Sequence, residues 1–228
     1  MPAVGALTCQ AYGLSSWSCK TGGMTEQPDR DHWDAVYGRN QADAVSWFQA
    51  DPATSLDLIR AAGAAWDAAL IDVGGGASVL ADRLVEHGFT DISVLDVAGP
   101  ALAVARERLG EAAGGIDWIV ADLLAWKPAR RYALWHDRAV FHFLTDPADR
   151  DRYRRVLDAA LDEGGHVVIG TFASDGPRQC SGLPTAGYDP DALAGQFPNL
   201  RVVRQFREEH RTPWNAVQPF TWLLLTRI

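Results

Sequence analysis

The feature that most constrains this chain is an apolar strand that ends in consecutive glycines and leads into a helical pattern. The segment spans residues 70–78 and reads Leu-Ile-Asp-Val-Gly-Gly-Gly-Ala-Ser, and apolar residues at helical spacing follow from Val79. Glycines at this position let a ligand lie against bare backbone at the start of a helix, where unsatisfied N–H groups point outward. The segment therefore predicts a nucleotide-type site.

Strand and helix patterns alternate along most of the remaining chain. Strands are predicted at 69–73, 91–96, 118–122, 132–136 and 165–172. Helices are predicted at 55–60, 78–87, 100–110, 147–161 and 190–197. Alternation of this kind implies right-handed crossovers, and therefore a doubly wound parallel sheet.

The end of the chain departs from this alternation. Strand patterns at 200–206 and 220–225 follow each other with no helical pattern between them. Two consecutive strands joined by a loop form an antiparallel pair. The predicted fold class is therefore α/β, a seven-stranded Rossmann-like sheet that closes with an antiparallel C-terminal hairpin.

Composition limits the classes of function. The chain has 228 residues, 47% of them hydrophobic, which is enough for one core and one domain. Its net charge of −8 argues against a nucleic-acid partner. Three cysteines are too few for a disulfide framework or a zinc site, so we expect no metal and a reducing, cytoplasmic location. The chain has no apolar run of about eighteen residues, so the sequence predicts no membrane span.

The first residues of the chain differ in character from the rest. Residues 1–23 lack the basic start and the long apolar centre of a signal peptide and are predicted to be a flexible extension. Met24 is a plausible second start. Residues 24–228 are predicted to form the single domain.

Glycines after the first strand leave two kinds of ligand open. A dinucleotide dehydrogenase also has glycines there and an acid, here Asp96, about twenty residues later to hold ribose hydroxyls. Three further features separate the alternatives: Asp72 precedes the glycines, Asp122 ends the third predicted strand, and the chain closes with a hairpin. Asp72 would repel a pyrophosphate at this position.

These features together resemble the class I S-adenosylmethionine (SAM) methyltransferases, and the resemblance covers residues 31–228. In that family the first strand ends in Asp-x-Gly-x-Gly, which Asp72, Gly74 and Gly76 match. The family's last strand is also antiparallel to its neighbour. The resemblance implies that the cofactor is SAM and that the product formed from it is S-adenosylhomocysteine.

Two further acids match the family at the ends of the second and third strands. The resemblance implies that Asp96 holds both ribose hydroxyls and that Asp122 lies near the adenine amino group, with Val97 and Leu123 following them in the same site. SAM carries a sulfonium and an ammonium but no phosphate, so Asp72 attracts the amino-acid end of this cofactor. Each acid has an alternative role, since Asp also caps helices and turns.

An aromatic segment precedes the glycine strand. Within the class, residues 31–37 with Trp47 and the phenylalanine after it resemble the amino-terminal motif of protein lysine methyltransferases that modify elongation factors and citrate synthase. The resemblance implies that Trp33, Tyr37 and Trp47 lie against SAM, where aromatic rings tolerate a cation. Alternatively, these rings form a small core under an amino-terminal helix.

The segment after the fourth strand faces the transferred methyl group in this fold. Residues 135–144 read Trp-His-Asp-Arg-Ala-Val-Phe-His-Phe-Leu. Asp137 and Phe141 match the lysine enzymes, whereas Arg138 replaces their lysine and His142 replaces their second acid. These replacements favour a different acceptor.

Methyl transfer from SAM is an in-line displacement, so catalysis comes largely from holding a lone pair in line with the methyl group. A base is needed only for a nucleophile that arrives protonated. His136, Asp137 and His142 are candidates for that base and, with Arg138, form the predicted catalytic set. Alternatively His136 caps the strand edge, Asp137 and Arg138 pair with each other, and His142 lies on a helix face.

Two later segments are candidates to enclose a substrate. Residues 171–184 form a glycine- and proline-rich stretch that contains Cys180, which is either a reactive or an inert thiol. Residues 208–215 with Gln218 either close the same pocket or form a surface turn.

The sequence therefore predicts a SAM-dependent methyltransferase that moves the methyl group to an N, S or O nucleophile, with a small molecule favoured as the acceptor. A protein lysine methyltransferase is the main alternative. A nicotinamide-linked oxidoreductase and an inactive SAM-binding regulator are the others.

Overall fold

The structure is a computed structural model that describes residues 30–228. The predicted extension at residues 1–23 and the second start at Met24 lie outside the described residues.

The described part of the chain alternates helices and strands, as the sequence pattern predicts. Its strands are β1 Leu70–Val73, β2 Ile92–Asp96, β3 Ile116–Val120, β4 Tyr132–Arg138, β5 Leu161–Phe172, β6 Gln179–Cys180, β7 Leu183–Pro184, β8 Leu200–Arg211 and β9 Val217–Arg227. Its α-helices are α1 Arg30–Arg39, α2 Ala53–Ala61, α3 Leu80–Glu86, α4 Gly99–Leu109, α5 Pro147–Ala160 and α6 Pro190–Ala194. Short 3-10 turns lie at Gly110–Gly115 and Phe141–Phe143.

Seven of these strands form one sheet in the order β3-β2-β1-β4-β5-β9-β8. The five from β1 to β5 run parallel, whereas β9 is antiparallel to both β5 and β8. The predicted α/β class, the seven-stranded doubly wound sheet and the antiparallel C-terminal hairpin are confirmed. Strands β6 and β7 form a separate small hairpin within the predicted loop at residues 171–184.

Most strands differ from the sequence prediction at one boundary or both. β3 ends at Val120, two residues before Asp122, because the chain turns there. β5 begins at Leu161 rather than at residue 165. β8 extends to Arg211, so the first half of the segment predicted as a loop at 208–215 is strand, held by pairs such as His210 with Gln218 on β9.

Both faces of the sheet are buried, which explains why its central strands read as nearly continuous apolar runs. On one face Ile71 and Trp135 pack with Tyr153 of α5. On the other face Leu70 packs with Ile59 of α2 and with the rest of a second apolar cluster. The two faces leave the carboxyl edge of the parallel strands free for a site.

Two helices begin as their sequences predict. Asp146 precedes Pro147 and accepts a hydrogen bond from the Ala148 backbone N–H at 2.8 Å. Asp189 stands in the same relation to α6 and accepts from the Ala192 N–H at 2.8 Å. An acid followed by proline is a strong start signal, because the acid satisfies an orphan donor and proline lacks one. None of the helices in residues 30–228 has the length and apolar character needed to cross a membrane.

Candidate active site

A cavity opens at the carboxyl edge of the parallel strands. This main cavity encloses about 880 Å³ of space, including the solvent at its open mouth. A smaller cavity of about 550 Å³ lies beside it, and Tyr37, Trp47, Gly74 and Arg138 line both. Within residues 30–228 no group of three or more His, Cys, Asp or Glu side chains is arranged to hold a metal ion.

The glycine loop presents bare backbone to these cavities. Gly74 and Gly76 have φ values of 67° and 50°, which side chains rarely adopt. A Cβ atom on Gly76 would lie 2.6 Å from the Tyr37 hydroxyl oxygen, and one on Gly75 would lie 2.6 Å from Oδ2 of Asp72. Gly75 was not among the predicted site residues, although its place in the middle of three consecutive glycines was a signal in the sequence. All three positions therefore require glycine.

Asp72 is buried and lies on the smaller cavity. The parallel pairing of β1 and β4 sets Asp72 directly beside His136. Nδ1 of His136 donates to Oδ1 of Asp72 at 2.7 Å, and Nε2 forms a 2.9 Å hydrogen bond with the Ser55 hydroxyl of α2. Both ring nitrogens of His136 are thus engaged, which suits a residue that orients Asp72 more than one that takes a proton from an acceptor.

Asp96 ends β2 and lies on the main cavity together with Val97. Its Oδ1 accepts a hydrogen bond from the Ala98 backbone N–H at 2.8 Å. Burial raises the pKa of this carboxyl to about 7, and the nearby Asp72 carboxyl also raises it. Asp96 is therefore a buried acceptor whose charge changes near neutral pH.

Asp122 lies just outside the main cavity. Its side chain is exposed and its Oδ1 accepts from the Leu124 backbone N–H at 2.9 Å, so it caps the turn that follows β3. That turn places its neighbour, the buried Leu123, on the cavity wall.

The three aromatic residues predicted to contact a cofactor come together on the main cavity. The ring of Trp33 meets that of Trp47 edge to face at 5.9 Å between centroids, and Tyr37 meets Trp47 in the same way at 6.1 Å. α1 contributes no fully buried side chain, so Trp33 and Tyr37 keep part of their surface open. Burial, followed by the charge of Asp96, raises the pKa of the Tyr37 hydroxyl, which therefore stays protonated.

The Asp137 carboxylate does not face either cavity. It accepts hydrogen bonds from the Tyr153 hydroxyl at 2.7 Å and from the backbone N–H groups of Val140 and Phe141 at 3.0 and 3.4 Å. Burial raises its pKa to about 6. Adjacent strand residues point to opposite faces, so Asp137 fixes the 3-10 turn from behind and does not pair with Arg138.

Arg138 reaches the cavities from the opposite face of β4. Its Nη1 donates to the Trp47 carbonyl oxygen at 2.8 Å, and its guanidinium carbon lies 4.9 Å from the centre of the Phe220 ring. Nε and Nη2 are shielded from solvent and have no hydrogen-bond partner within residues 30–228. Burial lowers the pKa of this guanidinium to about 10, so it remains charged at neutral pH.

His142 lies on the main cavity and has an exposed fraction of 0%. Its ring stacks on Phe172 at 4.3 Å, and its Nδ1 accepts a 3.3 Å hydrogen bond from the Phe172 backbone N–H. Burial, helped by the charge of Arg138, lowers the His142 pKa to about 3. The ring is therefore neutral with its proton on Nε2, and this Nε2 has no partner in the described part of the chain.

The later segments complete the wall of the main cavity. Cys180 of β6 and Gln218 of β9 both line it. The Cys180 sulfur lies 3.9 Å from the Ser46 hydroxyl, and burial raises the pKa of the thiol, which favours the inert alternative. His210 donates from Nε2 to the Ser46 carbonyl oxygen at 2.8 Å and so holds this segment in place.

Comparison with known proteins gives structural relatives only. No protein-family model matches the sequence, and no curated protein matches it. The SAM-dependent methyltransferase from Anabaena variabilis has a TM-score of 0.68 at 17% identity, over 87% of this chain and 95% of the other. The N-methyltransferase NodS from Bradyrhizobium japonicum in complex with S-adenosylhomocysteine has a TM-score of 0.68 at 17% identity, over 87% and 99%.

A third similar structure is the Burkholderia thailandensis 1,6-didemethyltoxoflavin-N1-methyltransferase with bound 1,6-didemethyltoxoflavin and S-adenosylhomocysteine. Its TM-score is 0.67 at 18% identity, over 87% of this chain and 86% of the other. At these identities the similarity establishes the fold.

Proposed function

From the class I SAM-dependent methyltransferase fold that this chain has, we propose that it is a SAM-dependent methyltransferase acting on a small molecule. The observation that carries the proposal is that two buried acids lie beside the glycine loop. We call this loop, Gly74 to Gly76, the glycine cradle. Asp72 and Asp96 flank the cradle, and at Gly76 an added Cβ would collide with Tyr37 and come within 3.3 Å of Oδ2 of Asp96. Space and charge at this place suit a cationic nucleoside without phosphate.

The residues of the cradle fit the parts of SAM. Asp96 would accept hydrogen bonds from the ribose hydroxyls, with Val97 and Leu123 as apolar walls for the base, and Asp122 at the rim. Asp72, held by His136, would attract the ammonium group, and Gly74 and Gly76 would let the amino-acid chain lie on the backbone. Trp33, Tyr37 and Trp47 supply aromatic rings that tolerate the sulfonium. When bound, SAM supplies an electrophilic methyl group.

A small acceptor fits the main cavity better than a protein side chain. The cavity is lined with aromatic rings and contains buried polar groups of its own, whereas a lysine enzyme needs an open approach for a second protein. NodS and the toxoflavin enzyme, which share this fold, are named as N-methyltransferases, the second with its small-molecule substrate bound.

The chain's own residues would work by holding the acceptor. His142 is neutral and presents an N–H, Asp137 faces away, and both nitrogens of His136 are engaged. Catalysis would therefore come from position: Arg138 and His142 orient the acceptor, and Asp137 orients the turn that carries His142.

Calorimetric titration of the full-length protein with S-adenosylhomocysteine and with NADH tests the cofactor. Micromolar binding of S-adenosylhomocysteine without NADH binding supports the proposal, and the opposite pattern refutes it in favour of an oxidoreductase. Incorporation of label from tritiated SAM into separated small-molecule and protein fractions of a lysate then identifies the class of acceptor.

A further inference from the structure

We propose that Arg138 and His142 bind an oxygen anion, such as a carboxylate, on a planar methyl acceptor whose reacting atom arrives with its lone pair already free. The inference rests on the proposed function and names the class of substrate.

Arg138 carries unused hydrogen-bonding capacity. Only Nη1 has a hydrogen-bond partner in residues 30–228, the Trp47 carbonyl oxygen, while the shielded Nε and Nη2 have none. Burying N–H groups of a cation without partners is costly, and an anion bound at Nε and Nη2 would offset that cost. The charges of Glu208 and Asp72 act on the guanidinium, but neither carboxylate is hydrogen-bonded to it; the Glu208 oxygens accept from Thr54 and Trp222. The planar fork of a guanidinium matches a carboxylate.

His142 adds a second donor to the same wall. Its Nδ1 already accepts from the backbone N–H of Phe172, so the neutral ring carries its proton on Nε2. That N–H is buried and unpartnered among the residues described. Two residues that line one cavity therefore each carry a buried N–H without a partner, and an acceptor atom of a ligand would satisfy both.

Asp96 lines the same cavity but is assigned to the ribose of the cofactor. Among the other described residues of the wall, none is set to remove a proton from the acceptor. His142 presents an N–H, and burial keeps Cys180 as a thiol by raising its pKa. A reacting atom in this part of the cavity must therefore carry a free lone pair, as a pyridine-type nitrogen does. In the transfer that lone pair forms the bond to the methyl carbon, the carbon–sulfur bond breaks, and its electron pair stays on sulfur.

The shape of the wall favours a flat ligand. Trp33 and Phe143 meet at 5.3 Å between ring centroids, and Phe220 lies under the Arg138 guanidinium at 4.9 Å. Aromatic surfaces of this kind bind planar molecules by stacking and edge contacts.

The carboxylate that Arg138 binds has two sources, the acceptor and the amino-acid end of the cofactor. Arg138 lines both cavities, but His142 and Gln218 line only the main one. Because Arg138 and His142 both line the main cavity, we assign the anion to the acceptor.

The test uses full-length protein saturated with S-adenosylhomocysteine and titrated calorimetrically with nicotinate and benzoate, each matched to its uncharged amide, nicotinamide or benzamide. We expect the acids to bind roughly ten- to hundredfold more tightly than the amides, as for hydrogen bonds to a charged group. Arg138→Gln removes this preference, Arg138→Lys retains part of it, and His142→Phe reduces it. Arg204→Gln, which removes an exposed arginine of β8, leaves it unchanged.

Acids that bind the wild-type complex no better than amides, or do not bind at all, overturn the inference while S-adenosylhomocysteine binding stands. An Arg138→Gln variant that keeps the wild-type midpoint of thermal unfolding but loses affinity for S-adenosylhomocysteine also overturns it, because the guanidinium then binds the cofactor. If S-adenosylhomocysteine does not bind the wild type, the proposed function fails and the inference fails with it.

Discussion

His136 donates from Nδ1 to Oδ1 of Asp72 over 2.7 Å, so the acid of the glycine strand is held by its neighbour in β4. Both side chains are almost fully buried, and Ser55 engages the other ring nitrogen. A carboxylate in such a place keeps one orientation. His136, which the sequence placed among the catalytic candidates, thus orients Asp72, a residue predicted to bind the cofactor.

This contact predicts a coupled loss of stability and cofactor affinity. His136→Leu leaves the buried Asp72 carboxylate without its donor, and we expect it to lower the free energy of unfolding by about 1–3 kcal/mol. Urea unfolding measures the loss, and a cycle with Asp72→Asn measures the coupling between the two side chains. His87→Gln, at an exposed histidine, should change stability by less than about 0.5 kcal/mol. Additive effects of His136→Leu and Asp72→Asn would contradict the coupling.

The glycine cradle predicts a difference between two glycines with positive φ. Gly76→Ala should abolish S-adenosylhomocysteine binding, because its Cβ would lie 2.6 Å from the Tyr37 hydroxyl oxygen. Gly63→Ala is the matched control, since Gly63 has φ 71° but open space around it. It should cost about 1–2 kcal/mol of stability through backbone strain and leave binding intact. Equal affinity in the two variants would show that the cradle does not hold the cofactor.

The raised pKa of Asp96 predicts pH-dependent binding. In the protein without cofactor, the Asp96 carboxyl has a pKa of about 7. Hydroxyl donors from a ribose would stabilise its charged form and lower that pKa. Binding then releases a proton below about pH 7, so affinity for S-adenosylhomocysteine falls as the pH falls, by at most about tenfold per pH unit. Calorimetry in buffers of different ionisation enthalpy measures the released proton. Asp96→Asn should remove this pH dependence and Asp122→Asn should retain it.

The position of Asp137 predicts that its shape matters more than its charge. Asparagine can still accept from the Val140 and Phe141 N–H groups and donate to the Tyr153 hydroxyl, so Asp137→Asn should keep methyl transfer within a few fold. Asp137→Ala removes the acceptor of both N–H groups and should lower the free energy of unfolding by about 1–3 kcal/mol and reduce turnover. Tritiated methyl transfer and urea unfolding of both variants check this. Equal loss of turnover in the two variants would restore Asp137 as a proton acceptor.

Local sequence signals accounted for most of the fold. The Asp146 and Asp189 starts before proline, the acid and glycines after β1, and the final hairpin all depend on residues close together in the chain. The predicted strand ends were wrong where pairing with another strand decides them. β8 reaches Arg211 because it pairs along the whole length of β9. The same limit affected site residues: the sequence left Gln218 between a pocket wall and a surface turn, and only the packing of β9 places it on the cavity with Arg138.

The sequence alone determined which elements form and which edge of the sheet carries the polar residues, because strand period, capping and glycine position are local properties. Only the tertiary structure decided the roles within residues 135–144. Alternation along β4 sends Asp137 to the Tyr153 side and Arg138 to the cavity, and the register of β1 with β4 brings His136 to Asp72. Which face a side chain takes, and what lies opposite it, depends on packing between strands that are distant in the chain.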